Sequence, residues 1–158
     1  MIKTISSEAL VKLTENAASA ERLRAHLNVH ESLDARVQRL FIATEPDTYI
    51  RPHRHSEPHK WELFTLLEGE MELLIFNDNG DITQRTRMAR DGVRTVEIPP
   101  NTWHSYVCLQ SGTLALEIKE GPYVPSTPDE LPAWSPAENS ADCAAYLDWM
   151  RTAEVSAA

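Results

Sequence analysis

The 158-residue chain suits one domain, since two independent cores of that total length would each be small. Its 42% hydrophobic and 25% charged residues exclude a wholly disordered chain, a collagen-like repeat and a disulfide-dense miniprotein. The formal net charge of −9 argues against nucleic-acid binding, which needs basic residues to displace counterions from phosphates, and against docking on an anionic membrane.

In chain order, helical spacing of Leu10, Leu13, Ala17, Ala20 and Leu23 predicts a helix over 6–26, with Ser6 or Ser7 as its cap. Glu8, Lys12 and Glu15 fall where a signal peptide would need an apolar core, and no run approaches the ~18 apolar residues of a membrane span. Cys108 and Cys143 are far apart and outside any metal-type spacing, so they read as reduced thiols, and the chain is expected to be cytoplasmic. Residues 28–35 read as a loop, in which Asn28 and His30 read as turn-forming, the alternative being that they reach the mouth of a barrel. From Val37 the texture changes to short apolar and β-branched runs divided by turn signals. Strands are expected over 37–44, 48–55, 61–67, 71–76, 82–88, 93–98, 103–109 and 113–119. Asp78-Asn79-Gly80 is a tight-turn signal, because Asn and Gly accept positive φ cheaply. So many short strands without a long helical interruption predict an antiparallel sandwich or barrel. The stretch 121–140 carries five prolines and reads as an ordered arm, anchored by Tyr123, Val124, Leu131 and Trp134. The Lys119–Tyr123 segment reads as the corner where that arm departs. A short helix over 141–153 follows.

Three histidines, His53, His55 and His59, fall within seven residues. On a strand, residues i and i+2 point the same way with Cα atoms about 6.5–7 Å apart, so the imidazoles of His53 and His55 can converge on one ion. Glu62 opens the next apolar strand. Its odd offset from His55 requires a turn or bulge between them, which Pro58 allows. His104 follows the Pro99-Pro100-Asn101 turn at the start of another strand.

These stretches resemble the two motifs of the cupin superfamily. His53, His55, Glu62 and Gly69 match the first, and Gly92, Pro99, Asn101 and His104 the second. The gap from His55 to Glu62 is longer than the commonest pattern, Asn101 replaces a usual Gly, and Cys108 replaces a usual Asn. With residues 37–55, the KWELF segment, IPPNTWH and LEIKEGPYVP, the chain is similar to WbuC-type cupin metalloproteins over roughly residues 22–138. The resemblance implies an all-β fold, a single cupin (double-stranded β-helix or jelly-roll) barrel over 37–120. An N-terminal helix and loop (1–36) pack on it, and the Pro-rich arm with its C-terminal helix (121–158) completes one domain. It implies one divalent transition metal (iron, manganese, nickel, cobalt or zinc) held by His53, His55, His104 and Glu62. His59 stays open as the residue that completes the set in place of Glu62.

Around that site, Lys60 and Tyr106 are candidates for catalytic proton transfer. Tyr49, Arg51, Arg39 and His59 are candidates for substrate binding, with Gln38 beside them. Arg51 could clamp a carboxylate or phosphate; the alternative is a surface Arg beside a packed Tyr49. Trp61 and Trp103 read as packing residues. The expected function is a metal-dependent enzyme acting on a small polar metabolite such as a sugar or sugar acid, by isomerase- or epimerase-like Lewis-acid chemistry. The link to sugars and to surface-polysaccharide metabolism comes from the resemblance alone. An iron-dependent dioxygenase, a non-catalytic metal-dependent binding module and a purely structural metal share the same ligands and stay open. The expected partner is a small-molecule substrate, with no nucleic acid and no membrane. Many cupins are dimers, so a homodimer is implied as well.

Overall fold

The computed structural model describes residues 2–156; Met1, Ala157 and Ala158, at the ends of the outer segments expected above, lie outside the described residues. Helix α1 (Ser7–Ser19) begins where the Ser6 hydroxyl accepts a hydrogen bond from Ala9 N at 3.3 Å. It ends well short of the helix expected over 6–26. Ala20 is extended, Leu23 takes φ +52°, and strand β1 (Arg24–Asn28) follows. The cause is tertiary. Arg24 and His26 alternate with Ala25 and Leu27, so pairing with β2 (Val37–Thr44) satisfies the backbone while Leu10, Leu13 and Ala17 cover the Ala25–Leu27 face.

The next strands are β3 (Glu62–Glu68), β4 (Met71–Phe76), β5 (Ile82–Met88), β6 (Thr95–Ile98), β7 (His104–Cys108) and β8 (Thr113–Glu120). The strand expected over 48–55 does not form a ladder. His53 makes a lone antiparallel bridge with His104, and the buried Pro52 has no N–H to continue the pairing. The tight turn between β4 and β5 forms as expected: Asn77 Oδ1 accepts from Asn79 N and Asp81 N, and Gly80 takes φ +91°.

The strands make two antiparallel sheets, one in the order β1-β2-β8-β3-β6 and one in the order β5-β4-β7. Their facing sides enclose Phe64, Leu66, Met71, Leu73, Tyr106 and Ala115. Outside the larger sheet, α1 packs on Ala43 and Leu114. Outside the smaller sheet, helix α2 (Cys143–Thr152) packs Leu147 and Met150 on Leu74 and Val107. The order is therefore helix, sheet, sheet, helix, with one apolar layer at each junction.

The arm between β8 and α2 is largely irregular, with one 3₁₀ turn at Pro128–Glu130. Of its expected anchors, Trp134 packs on Phe76 and Trp103 at ring distances of 5.3 and 6.1 Å, whereas Tyr123 and Val124 are 49% and 51% exposed. The smaller and more polar contacts hold it instead. Glu130 accepts from Ser56 N and Thr127 N, and Arg51 donates to Pro132 O and Ser135 Oγ. Cys108 and Cys143 are free thiols. Among the described residues, no helix is long and apolar enough to cross a membrane.

Candidate metal centre

His53 and His104 are brought together by backbone pairing. His53 N donates to His104 O at 3.0 Å and His104 N donates to His53 O at 2.9 Å. Asn101, with φ +58°, turns the chain into β7 and donates its N–H to His55 O at 2.7 Å, which fixes the second histidine to the same turn. Glu62 opens β3 opposite Ile98 on one side and Lys119 on the other. Imidazole centroids of His53 and His104 lie 4.4 Å apart, those of His53 and His55 5.4 Å, and those of His55 and His104 6.1 Å. His53, His55, Glu62 and His104 each offer a ligand atom, and these atoms all lie within 4.8 Å of one another. His59 stays outside, exposed and paired with Glu57 at 3.2 Å, so Glu62 and not His59 joins the three imidazoles.

The hydrogen bonds around the group suit a cation. His53 Nδ1 lies 2.9 Å from Arg51 O, and His104 Nδ1 2.8 Å from Thr102 O. A carbonyl can only accept, so each Nδ1 carries the proton and each Nε2 presents a lone pair in the neutral ring; this is the arrangement that orients histidines for metal. His104 Nε2 is 2.9 Å from Glu62 Oε2, and His55 Nε2 is 3.0 Å from Glu62 Oε1. Yet Glu62, 2% exposed, receives no well-aligned hydrogen bond at Oε2. A buried carboxylate oxygen facing an imidazole lone pair needs a cation between them, either a proton on His104 or a metal ion. Three imidazole nitrogens and one carboxylate oxygen suit a borderline divalent metal.

The electrostatics agree. Burial, helped by His104, pushes the His53 imidazole down to about 3, so it is neutral and free to ligate. Burial alone would raise Glu62, but His104, His55 and Lys119 override it and hold the carboxylate well below its ordinary range. Burial would lower His104, but the Glu62 carboxylate outweighs it and raises it. Lys119 Nζ bridges Glu62 Oε1 at 3.1 Å and Glu117 Oε1 at 2.5 Å. Burial opposes the charge on Lys119, and the two carboxylates more than restore it. Burial raises Glu117 to about 7, against the pull of Lys119.

A cavity of about 150 Å³ opens beside the group, lined by His53, His55, Lys60, Trp61, Glu62 and Lys119, with residues of the arm across it. Lys60 lies in that wall, its Nζ donating to Pro122 O at 2.8 Å. The other expected residues lie elsewhere. Tyr49 is turned away, its hydroxyl donating to Pro136 O at 2.9 Å beside Tyr146. Arg51 is committed to the arm through Pro132 and Ser135. Arg39 is exposed on the strand face opposite Gln38, which lines the cavity while its amide is held by Leu33 O and Ala35 O. Tyr106 is buried between the sheets against Phe64, which with the nearby Glu117 raises its phenol above the ordinary range. Trp103 packs in the core and donates to Asp78. His30 does shape its turn, with Nδ1 within 3.0 Å of both Arg39 N and Arg39 O. Glu117 and the charge role of Lys119 were not foreseen. The signal lay in β8, where Ala115, Glu117 and Lys119 share one parity and the register sets them opposite Leu66, Phe64 and Glu62.

Comparison with known proteins decides the family. The model of a family described as a domain of unknown function, DUF6016, matches residues 5–88, more than half of the chain. The chain belongs to the DUF6016 family. No curated protein sequence matches it. Among solved structures, KdgF from Halomonas sp. is similar at TM-score 0.50 and 16% identity, over 65% of this chain and 81% of that one. The capsular polysaccharide assembling protein CapF from Staphylococcus aureus is similar at TM-score 0.57 and 19% identity, over 72% of this chain and 32% of that one. An oxalate oxidase in complex with the substrate analogue glycolate is similar at 0.51 and 15%, over 67% of this chain and 55% of that one. The DUF6016 chain thus spans most of KdgF but about half of oxalate oxidase and a third of CapF. These are cupin-fold proteins, and the likeness establishes a cupin-like fold.

Proposed function

We propose that this DUF6016 protein is a metal-dependent cupin enzyme of the WbuC type, whose two sheets close as one jelly-roll barrel, and that it acts on a small polar metabolite such as a sugar or sugar acid. The observation that carries this is the meeting of His53, His55, Glu62 and His104 within 4.8 Å, beside a small cavity whose wall also holds Lys60. A divalent metal in this group supplies Lewis-acid polarisation of a substrate oxygen. Lys119 holds Glu62 through Oε1, which leaves Oε2 to the cation. Lys60 Nζ stands where a substrate carboxylate would replace its Pro122 contact. The arm residues Pro122, Tyr123 and Val124 close the outer wall and limit water at the site. CapF, a capsular polysaccharide assembling protein, and the oxalate oxidase in complex with the substrate analogue glycolate lend support, one on the side of polysaccharides and one on the side of small hydroxy acids.

Metal analysis of protein purified without a chelating resin tests the reading. Close to one transition metal per chain is expected, and His53→Ala and His104→Ala are expected to lose it while the far-ultraviolet circular dichroism stays unchanged. Metal-free wild-type protein, or full metal content in both variants, overturns it. A panel of sugar acids and hydroxy acids, followed by NMR for turnover, then separates enzyme from binding module.

A further inference from the structure

Strand register sets Gln38, Lys119 and Glu62 in one row across β2, β8 and β3, because Gln38 pairs with Lys119 and Lys119 with Glu62. Neighbouring strands lie about 4.8 Å apart, so the backbone at Gln38 stands roughly 10 Å from that at Glu62. Both residues line the cavity of about 150 Å³. Gln38 is 2% exposed, and its amide orientation is fixed: Nε2 donates to Leu33 O at 3.0 Å and to Ala35 O at 2.7 Å. Both N–H bonds are spent on the 33–35 turn. The carbonyl oxygen Oε1 is then the polar atom this side chain has left for the cavity it lines. Oε1 is not closed off as a buried unpaired atom, as befits an atom that opens on a cavity. An acceptor held in place there asks for an O–H or N–H donor on a ligand. Glu120 stands in the same wall as a second acceptor.

The tryptophans supply the second observation. Of the two expected to pack, Trp103 does so: it belongs to the cluster under α2 and donates its indole N–H to Asp78. Trp61, which directly precedes Glu62, joins none of the three apolar clusters among the described residues. It lines the cavity instead, with the half-exposed Tyr123 of the arm in the same wall. An indole beside a polar site, without core partners, offers a flat apolar face to a ligand. Such a face suits a ring that turns C–H groups to one side and carries hydroxyls at its edge. The cavity is smaller than the ~300–1,000 Å³ of sites for drug-sized ligands, so it holds one such ring and not a chain of them.

We propose that this cavity takes a single pyranose ring, its face on Trp61 and one of its hydroxyls donated to Gln38 Oε1, and that these two residues select the substrate. The inference rests on the reading of this cavity as the substrate site. It narrows that reading from polar metabolites in general to sugars and sugar acids in ring form. An open-chain hydroxy acid can reach a metal, but it leaves the indole face and the Gln38 oxygen unmet.

The probes are the methyl α- and β-glycosides of D-glucose, D-galactose and D-mannose and of the three matching uronic acids, titrated into the full chain with and without added manganese(II). Binding is read by saturation-transfer NMR on the probe and by the four indole N–H signals of the protein, that of Trp61 being the one lost in Trp61→Phe. At least one probe is expected to bind saturably, with its strongest saturation on the C–H groups of one ring face and the largest protein shift at Trp61. Trp61→Ala is expected to weaken that probe by about tenfold, and Trp61→Phe to keep most of the affinity. Among its single-deoxy analogues, one is expected to bind the wild type about tenfold more weakly than the parent does, and to lose that disadvantage in Gln38→Met. The deoxy series in the wild type decides the point even where Gln38→Met, which also frees the 33–35 turn, fails to fold. No saturable binding of any probe, unchanged affinity in Trp61→Ala, or equal binding of every deoxy analogue overturns the proposal. Metal content of the same sample separates the two readings. A chain that holds metal but binds no probe overturns this inference alone, and a metal-free chain that binds one at Trp61 supports it while the metal reading falls.

Discussion

Three carboxylate and ammonium groups share a buried corner of the site, and their number decides their protonation. Glu62 and Glu117 face the one Lys119, so a second full negative charge on Glu117 has no cation of its own. Burial therefore raises Glu117 from its ordinary 4.5 to about 7 in the folded chain. In metal-free protein the native state keeps this proton while the unfolded chain gives it up, between roughly pH 4.5 and 7. Stability contributed by the neutral carboxyl is thus fully present below pH 4.5 and is lost as pH rises through that window. Glu117→Gln, which is neutral throughout, is expected to flatten the fall; urea denaturation of both proteins across the window measures it, and parallel pH profiles would contradict the assignment. At this scale the candidate ligand group was legible, because His53, His55, Glu62 and His104 are polar residues placed in or beside apolar strands. The choice between Glu62 and His59 was not legible, because it turns on how the chain bends through Ser56–Lys60. Tyr49 and Arg51 were read from a regular two-residue alternation that the broken pairing at Pro52 does not preserve.

The elements sort by how much each depends on its neighbours. Strands β2, β4 and β5 occupy the residues their own pattern predicts, 37–44, 71–76 and 82–88. Each is dense in apolar or β-branched residues and is bounded by turn residues. Strand β1 is different. Its five residues follow a helical pattern without a Gly or Pro stop, and only the pairing of Arg24–Asn28 with Leu40–Thr44 makes them extended. Helix α1 then rests on the outer face of that edge through few contacts, chiefly Leu13 and Ala17 on Ala43 and Leu114. Leu13→Ala removes the larger of the two buried side chains of α1 and is expected to cost about 2–4 kcal/mol through the cavity it leaves. Chemical denaturation measures the loss. A cost below about 1 kcal/mol would mean that α1 is marginal to the fold, despite the burial of Leu13.

For the molecule as a whole, the arm reaches the candidate metal group and the far side at once. Glu130 accepts from Ser56 N one residue after His55, Arg51 holds Pro132 and Ser135 two residues before His53, and Trp134 is lodged on Phe76 and Trp103. The turn at Gly80 receives the Trp134 ring so closely that a Cβ there would lie 2.6 Å from it. The Trp134 Nε1 donates to Asp78 O at 3.1 Å, while Trp103 Nε1 donates to Asp78 Oδ1 at 2.9 Å, so one turn fixes both indoles. Trp134 was legible as an apolar anchor of an ordered arm, but its partners were not, because a proline-rich stretch shows only that it is neither helix nor central strand; what it touches is decided by partners thirty or more residues away. If helix, sheets and arm form one cooperative unit, as the expected division into 1–36, 37–120 and 121–158 within one domain holds, the wild type unfolds in a single transition seen alike by near- and far-ultraviolet circular dichroism. Trp134→Ala then tests the arm's share. It empties the indole site and drops the bond to Asp78, and is expected to cost about 3 kcal/mol or more. The loss should concentrate in the arm, where native-state proteolysis would cut within 121–142 while the strands stay protected from hydrogen exchange. Equal protection of the arm in variant and wild type would show that the polar contacts of Arg51 and Glu130, and not the indole, hold it in place.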